Sequence, residues 1–172
     1  MNNTTQLNPN VNSTVINSEV GQETAINPNI VTATANLSAG TVLAGKYEIV
    51  EPLSASTGEA DLYVCKYNGA EYIAKVYRRQ RAVKPEVITV LKSIDSPYVA
   101  KLFDTGIYND RPFEVLPYYK NGSLLGKKFS FDELKKTIIP CINEALRVLH
   151  QNDIIHKDLK PSNIMLLDDN KS

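Results

Sequence analysis

The sequence runs to 172 residues with 42% hydrophobic content, enough for one globular domain carrying a tail. Its 19 basic residues balance 19 acidic ones, which leaves no broad electrostatic case for binding nucleic acid or for a polybasic membrane anchor. Cys65 and Cys141 lie far apart with no metal or disulfide spacing, no stretch resembles a signal peptide, and no apolar run could span a bilayer, so the expected setting is cytoplasmic.

Residues 1–40 are dominated by Asn and Thr and contain no Lys, Arg or aromatic residue. Such a segment has too little apolar surface to offset the entropy of ordering it, and it is expected to be a disordered tail. Its threonines could be phosphorylated and offered to a phosphothreonine-binding partner; a passive linker is the alternative.

From Gly45 the pattern becomes structural. Tyr47–Val50 and Ala60–Tyr67 read as strands, and Asn68-Gly69 is the two-residue signature of a tight hairpin returning through Glu71–Tyr77. Lys84-Pro85-Glu86 opens a helix whose apolar positions Val87, Val90, Leu91 and Ile94 keep the 3.6-residue period. Val99–Leu102 and Phe113–Leu116 read as two further strands, which makes five. Ser130 and Glu133 then form a capping box at the head of a long helix. Its stripe of Leu134, Ile138, Ile142, Ala145, Leu146 and Leu149 is expected to be buried, and Pro140 is expected to kink or split it.

The most informative stretch is Ile154-Ile155-His156-Lys157-Asp158-Leu159-Lys160-Pro161-Ser162-Asn163-Ile164-Met165. It resembles the catalytic loop of the protein kinase family. The resemblance implies an α+β fold, with an antiparallel five-stranded N-lobe sheet and one helix over residues 41–117. The start of a mostly helical, incomplete C-lobe would occupy 118–172. It implies ATP and Mg²⁺ as cofactors and a protein Ser/Thr hydroxyl as acceptor. Asp158 would accept the hydroxyl proton, Lys160 would hold the γ-phosphate, and the Asn163 amide oxygen would ligate Mg²⁺.

The same resemblance assigns a nucleotide cleft. Lys75, in Tyr72-Ile73-Ala74-Lys75, would pair with the α- and β-phosphates, and Ile73, on the same strand face, would stand against adenine where the family usually has Ala. Leu53, Ser54 and Leu62 flank a phosphate-covering loop in which only Gly58 is glycine. Leu116 would be the gatekeeper, Tyr118 and Tyr119 the hinge, and Met165 the floor of the cleft. Glu86 is the candidate ion-pair partner of Lys75, although family spacing puts Val87 in that slot, one residue or about 100° away.

Departures from the family narrow the reading. Lys157 stands where the family usually has Arg and offers a point charge without the bidentate fork, which weakens a phosphorylation-gated switch. No Asp-Phe-Gly comes after Met165, and Asp168 and Asp169 fall early and read as a turn, so the chain is expected to be a fragment inactive alone. Lys160-Pro161 is similar to Ser/Thr protein kinases. A pseudokinase or regulatory binding module is the alternative, and a small-molecule phosphotransferase is the third.

Overall fold

A computed structural model describes residues 35–53, 60–78 and 84–167. The expectations for residues 1–34, for Ser54 and Gly58, and for Asp168 and Asp169 lie outside them, whereas residues 35–40 of the expected disordered tail are tied to the sheet, the Ala35 N–H donating to Asp61 and the Gly40 N–H to the Ile49 carbonyl. Strands β1 (Val42–Leu43), β2 (Tyr47–Pro52), β3 (Ala60–Tyr67), β4 (Ala70–Tyr77), β5 (Asp104–Tyr108) and β6 (Arg111–Pro117) form one antiparallel sheet ordered β1-β2-β3-β4-β6-β5. The expected sheet thus gains a two-residue edge strand. At the β3–β4 hairpin Asn68 and Gly69 both take positive φ (49° and 78°), as a two-residue turn of matching twist demands.

One strand lies elsewhere than expected. Val99–Leu102 is irregular chain, and the strand is Asp104–Tyr108. Val99 and Leu102 are apolar because they are buried in a core, not because they pair in a ladder. The strand itself contains Asp104, Thr105 and Gly106, of which Asp and Gly are poor strand formers, and Gly106 lies opposite the ring of Phe113 on β6.

Helix α1 (Pro85–Ser93) starts at its proline, and it buries Leu91. The Ser130 capping box is formed at α2 (Phe131–Glu133), where the Ser130 hydroxyl accepts from the Glu133 N–H and the Glu133 carboxylate accepts from the Ser130 N–H. The helical run is split at Pro140, one of the two outcomes expected of it. A π-helical stretch, Leu134–Ile138, closed by the Ile139 N–H on the Leu134 carbonyl, leads into α3 (Ile139–Gln151) with Pro140 in its first turn. Pro140 offers no N–H to the carbonyls of the turn before it, and the widened π turn there accommodates its ring.

The sheet separates two clusters. One face carries Leu43, Ile49, Tyr63, Cys65, Val76, Phe113 and Val115. The other joins Leu116 and Ile73 to Leu91, Ile94, Val99, Leu102, Leu149 and Ile154, so the inner sheet face, α1 and the end of α3 share one core. The α3 stripe departs from expectation: only Leu149 is buried, Leu134 is exposed, and Ile138, Ile142, Ala145 and Leu146 line an open apolar groove of about 490 Å³. Among the described residues nothing packs over that groove, which is why the apolar stripe is left short of full burial. No helix among them is long and apolar enough to cross a membrane.

Candidate active site

The loop after α3 is built by its own backbone. Ile154 is buried and anchors the chain to the core. The Asp158 N–H donates to the His156 carbonyl at 2.7 Å, an i to i+2 bond, and Lys157 between them has φ 55°. This is a tight three-residue γ-turn around a strained residue, the kind of strain that concentrates at functional sites. His156 is buried, its Nδ1 lies 3.3 Å from the same N–H, and burial lowers its pKa despite the nearby Asp158 charge.

This turn aims Asp158 at its neighbours. Lys160 Nζ lies 2.7 Å from Asp158 Oδ2, and Asn163 Nδ2 donates to the same oxygen at 3.0 Å and to the Asp158 carbonyl at 2.9 Å. A short 3₁₀ turn, Pro161–Asn163, supplies the return. The Lys160 hydrogen bond, then that of Asn163, holds the Asp158 carboxyl below its ordinary range against a desolvation penalty. Asp158 is therefore a carboxylate at neutral pH, an acceptor rather than an acid. The structure thus brings Asp158, Lys160 and Asn163, the three residues singled out by the resemblance, into contact.

The second half of the site lies on the inner sheet face. The β3–β4 register sets Leu62 opposite Lys75, and β4–β6 sets Ile73 opposite Leu116 and Lys75 opposite Glu114. The Leu53 N–H donates to the Leu62 carbonyl, which brings the entry to the 54–59 segment against the same strand. Ile73 packs onto the core cluster that contains Leu116. Tyr118 and Tyr119 are half-buried directly after β6, and the chain turns at Gly122, φ 69°. Met165 bridges to Ser123, and two flanking hydrogen bonds (Leu124 N–H to the Ile164 carbonyl, Leu166 N–H to the Gly122 carbonyl) tie the end of the 154–165 segment to the chain just after β6.

Glu86 is the exception. It is exposed on the first turn of α1 and makes no ion pair among the described residues, whereas Lys75 is only 6% exposed. The expected Glu86–Lys75 pair is not formed, because Glu86 sits on the outer side of a helix whose inward positions are Leu91 and its apolar neighbours. Two residues that sequence reasoning passes over stand beside Lys75 instead: Tyr77 and Glu114, both buried. A lone Glu inside the apolar run Phe113–Leu116 is the available signal.

The oxygen donors do not by themselves make a Mg²⁺ site. Among the described residues no three His, Cys, Asp or Glu side chains cluster, and Asn163 with Asp158 falls short of the octahedral set Mg²⁺ demands.

A family model described as "Protein kinase domain" matches residues 54–172. Serine/threonine-protein kinase RIM15 of Saccharomyces cerevisiae is 32% identical over 133 residues, covering 70% of this chain and 8% of that protein. Human 3-phosphoinositide-dependent protein kinase 1 is 34% identical over 110 residues, covering 58% and 20%. The chain thus spans less than a third of these curated relatives. Two crystal structures of the Mycobacterium tuberculosis PknI kinase domain superpose with TM-scores of 0.65 and 0.61 at 20% and 19% identity. Both cover 76% of this chain, and 58% and 57% of theirs, a likeness of fold.

Proposed function

This chain belongs to the protein kinase family, and from that premise we propose that it carries the ATP-binding lobe (residues 41–117) and the opening of the catalytic lobe (118–172) of a Ser/Thr protein kinase. The observation that carries the proposal is the Asp158–Lys160–Asn163 constellation on its strained turn. ATP would lie between the inner sheet face and the hinge. Leu53, Leu62, Ile73, Leu116, Tyr118, Tyr119 and Met165 would contact the nucleotide, with Ser54 on the covering loop and Lys75 on the α- and β-phosphates.

In the transfer step a Ser or Thr hydroxyl of a protein substrate attacks the γ-phosphorus, the bond to the β-phosphate oxygen breaks, and ADP leaves. Asp158, a carboxylate held low by Lys160, orients that hydroxyl and takes its proton late, as suits a weak base. Lys160 spans Asp158 and the γ-phosphate and offsets charge in the transition state. Bound Mg²⁺, which the family uses with ATP, would neutralise phosphate charge, and Asn163 would offer it an amide oxygen. The chain's relatives include serine/threonine-protein kinases, which supports the acceptor class.

The 172-residue chain alone is proposed not to turn over, since among its described residues no three His, Cys, Asp or Glu side chains gather to hold the metal beside Asn163. The exposed position of Glu86 favours one second reading, a pseudokinase that binds nucleotide or partner without transfer. Incubation with Mg²⁺, labelled ATP and casein tests turnover. Background labelling, equal in Asp158→Asn, is expected; strong Asp158-dependent labelling of Ser or Thr would overturn the claim that the chain is inactive alone.

A further inference from the structure

The inner face of the sheet carries a buried lysine and a buried glutamate on neighbouring strands. Lys75 is 6% exposed and Glu114 is 7% exposed, and the β4–β6 register sets them directly opposite each other. Opposed residues of an antiparallel pair point to the same face with Cβ atoms about 5 Å apart. Tyr77, two residues along β4 and so on the same face, touches both. Its hydroxyl donates to Glu114 Oε2 at 2.9 Å, and Lys75 Nζ lies 4.9 Å from its ring centroid.

A buried ammonium requires a compensating charge. Two other carboxylates could have supplied it. Glu86 is exposed and makes no ion pair among the described residues. Asp61 is buried, but it lies on β3 opposite Val76, a residue of the other face's cluster, and is taken by the Arg78 guanidinium and the Ala35 N–H. Among the described residues Glu114 is the one buried carboxylate on the face of Lys75.

We propose that Glu114, with Tyr77, is the positioning residue that holds Lys75 in the nucleotide cleft, in place of a glutamate borne on helix α1. This rests on reading Lys75 as the phosphate-contacting lysine. Both members of the pair then sit on neighbouring strands of one sheet, joined along the register Tyr72–Val76 with Phe113–Pro117. A helix-borne partner can be withdrawn by moving the helix. A strand-borne partner cannot be withdrawn without breaking the sheet, so the lysine is set whatever α1 does.

The test measures Lys75 itself in the 172-residue chain. Acylation of Lys75 by an N-hydroxysuccinimide ester is monitored by peptide mass spectrometry as a function of pH. In Glu114→Gln the pH midpoint is expected to fall by at least about one unit, because the ammonium loses its counter-charge; in Glu86→Gln it should stay put. An unchanged midpoint in Glu114→Gln, or a fall in Glu86→Gln, would overturn the proposal. Should Glu114→Gln fail to fold, Lys75→Met is compared with Lys75→Met/Glu114→Gln. The double variant is expected to melt several degrees higher, since it removes a buried carboxylate deprived of its ammonium; an equal or lower melting temperature contradicts the pairing. A separate arm titrates Mg-ATP, whose Kd is expected to rise about tenfold in Glu114→Gln and to hold in Glu86→Gln. Equal Kd values in Glu114→Gln and wild type would overturn the positioning role. No Mg-ATP binding by wild type sinks the nucleotide reading, while the lysine titration still decides the pairing.

Discussion

The Asn163 amide donates twice to Asp158, to its carbonyl at 2.9 Å and to its carboxylate at 3.0 Å. One side chain thus fixes both the backbone and the charged end of the residue it serves, and its amide nitrogen is fully committed to that task. The pair encloses the segment next to the strained turn at Lys157, so the loop's shape and the aim of Asp158 are a single property.

Asn163→Ala removes both bonds from a partly buried site. The expected cost is about 1–2 kcal/mol by urea denaturation, with faster amide exchange confined to residues 156–164. Asn163→Asp should be worse at neutral pH, because it sets two carboxylates together, and it should recover as pH falls and one of them protonates. Equal damage by Ala and Asp at all pH values would show that the contact with the Asp158 carboxylate is of no consequence.

Gly106→Ala should destabilise the sheet. A Cβ at Gly106 would stand 2.7 Å from the Phe113 ring, which is 2% exposed and wedged among its core neighbours. Overpacking of this kind costs about 1–3 kcal/mol. Gly106→Ala with Phe113→Leu should recover part of that loss, and thermal melts of the two single variants and the double variant check it.

Acid should loosen the sheet through Asp61. Burial alone would raise its carboxyl, but the Arg78 hydrogen bond, the Ala35 N–H and nearby guanidinium charge outweigh it and hold the pKa below the ordinary 3.8. A depressed carboxylate contributes stability that is present above its unfolded pKa and is lost as pH falls through the folded value. Asp104, half-buried yet bridged by Lys46 and Lys92, behaves likewise. The melting temperature should therefore be flat from pH 7 to about 5 and drop below about 4, with a shallower drop in Asp61→Asn.

The two thiols should react very differently. Cys65 is fully buried on β3, between β2 and β4, and burial pushes its pKa up to about 12, whereas Cys141 is exposed on α3. One fast equivalent of maleimide at pH 7.5, mapped to Cys141, is expected, with Cys65 labelled only on unfolding.

Much of this is legible in the sequence where chemistry is local. Asn68-Gly69 announces its hairpin and Ser130 with Glu133 its capping box, because each is decided within four residues. Asp158, Lys160 and Asn163 converge because so short a loop leaves them little choice. Features that depend on partners far along the chain do not show. Val99–Leu102 looks like a strand because burial and pairing select the same apolar residues, while the true strand tolerates Gly106 for the sake of Phe113. Pro140 announces an interruption of its helix, but not that the interruption takes the form of a π turn just before it. Glu114 becomes meaningful only once the β4–β6 register sets it against Lys75.

The role of Lys75 as the phosphate-contacting lysine of a kinase nucleotide cleft is the central claim. Isothermal titration of the 172-residue chain with Mg-ATP, beside Lys75→Met, measures it. Saturable binding of one nucleotide per chain is predicted, weakened at least about tenfold in Lys75→Met. No binding by the wild-type chain, or equal affinity in the variant, would contradict it.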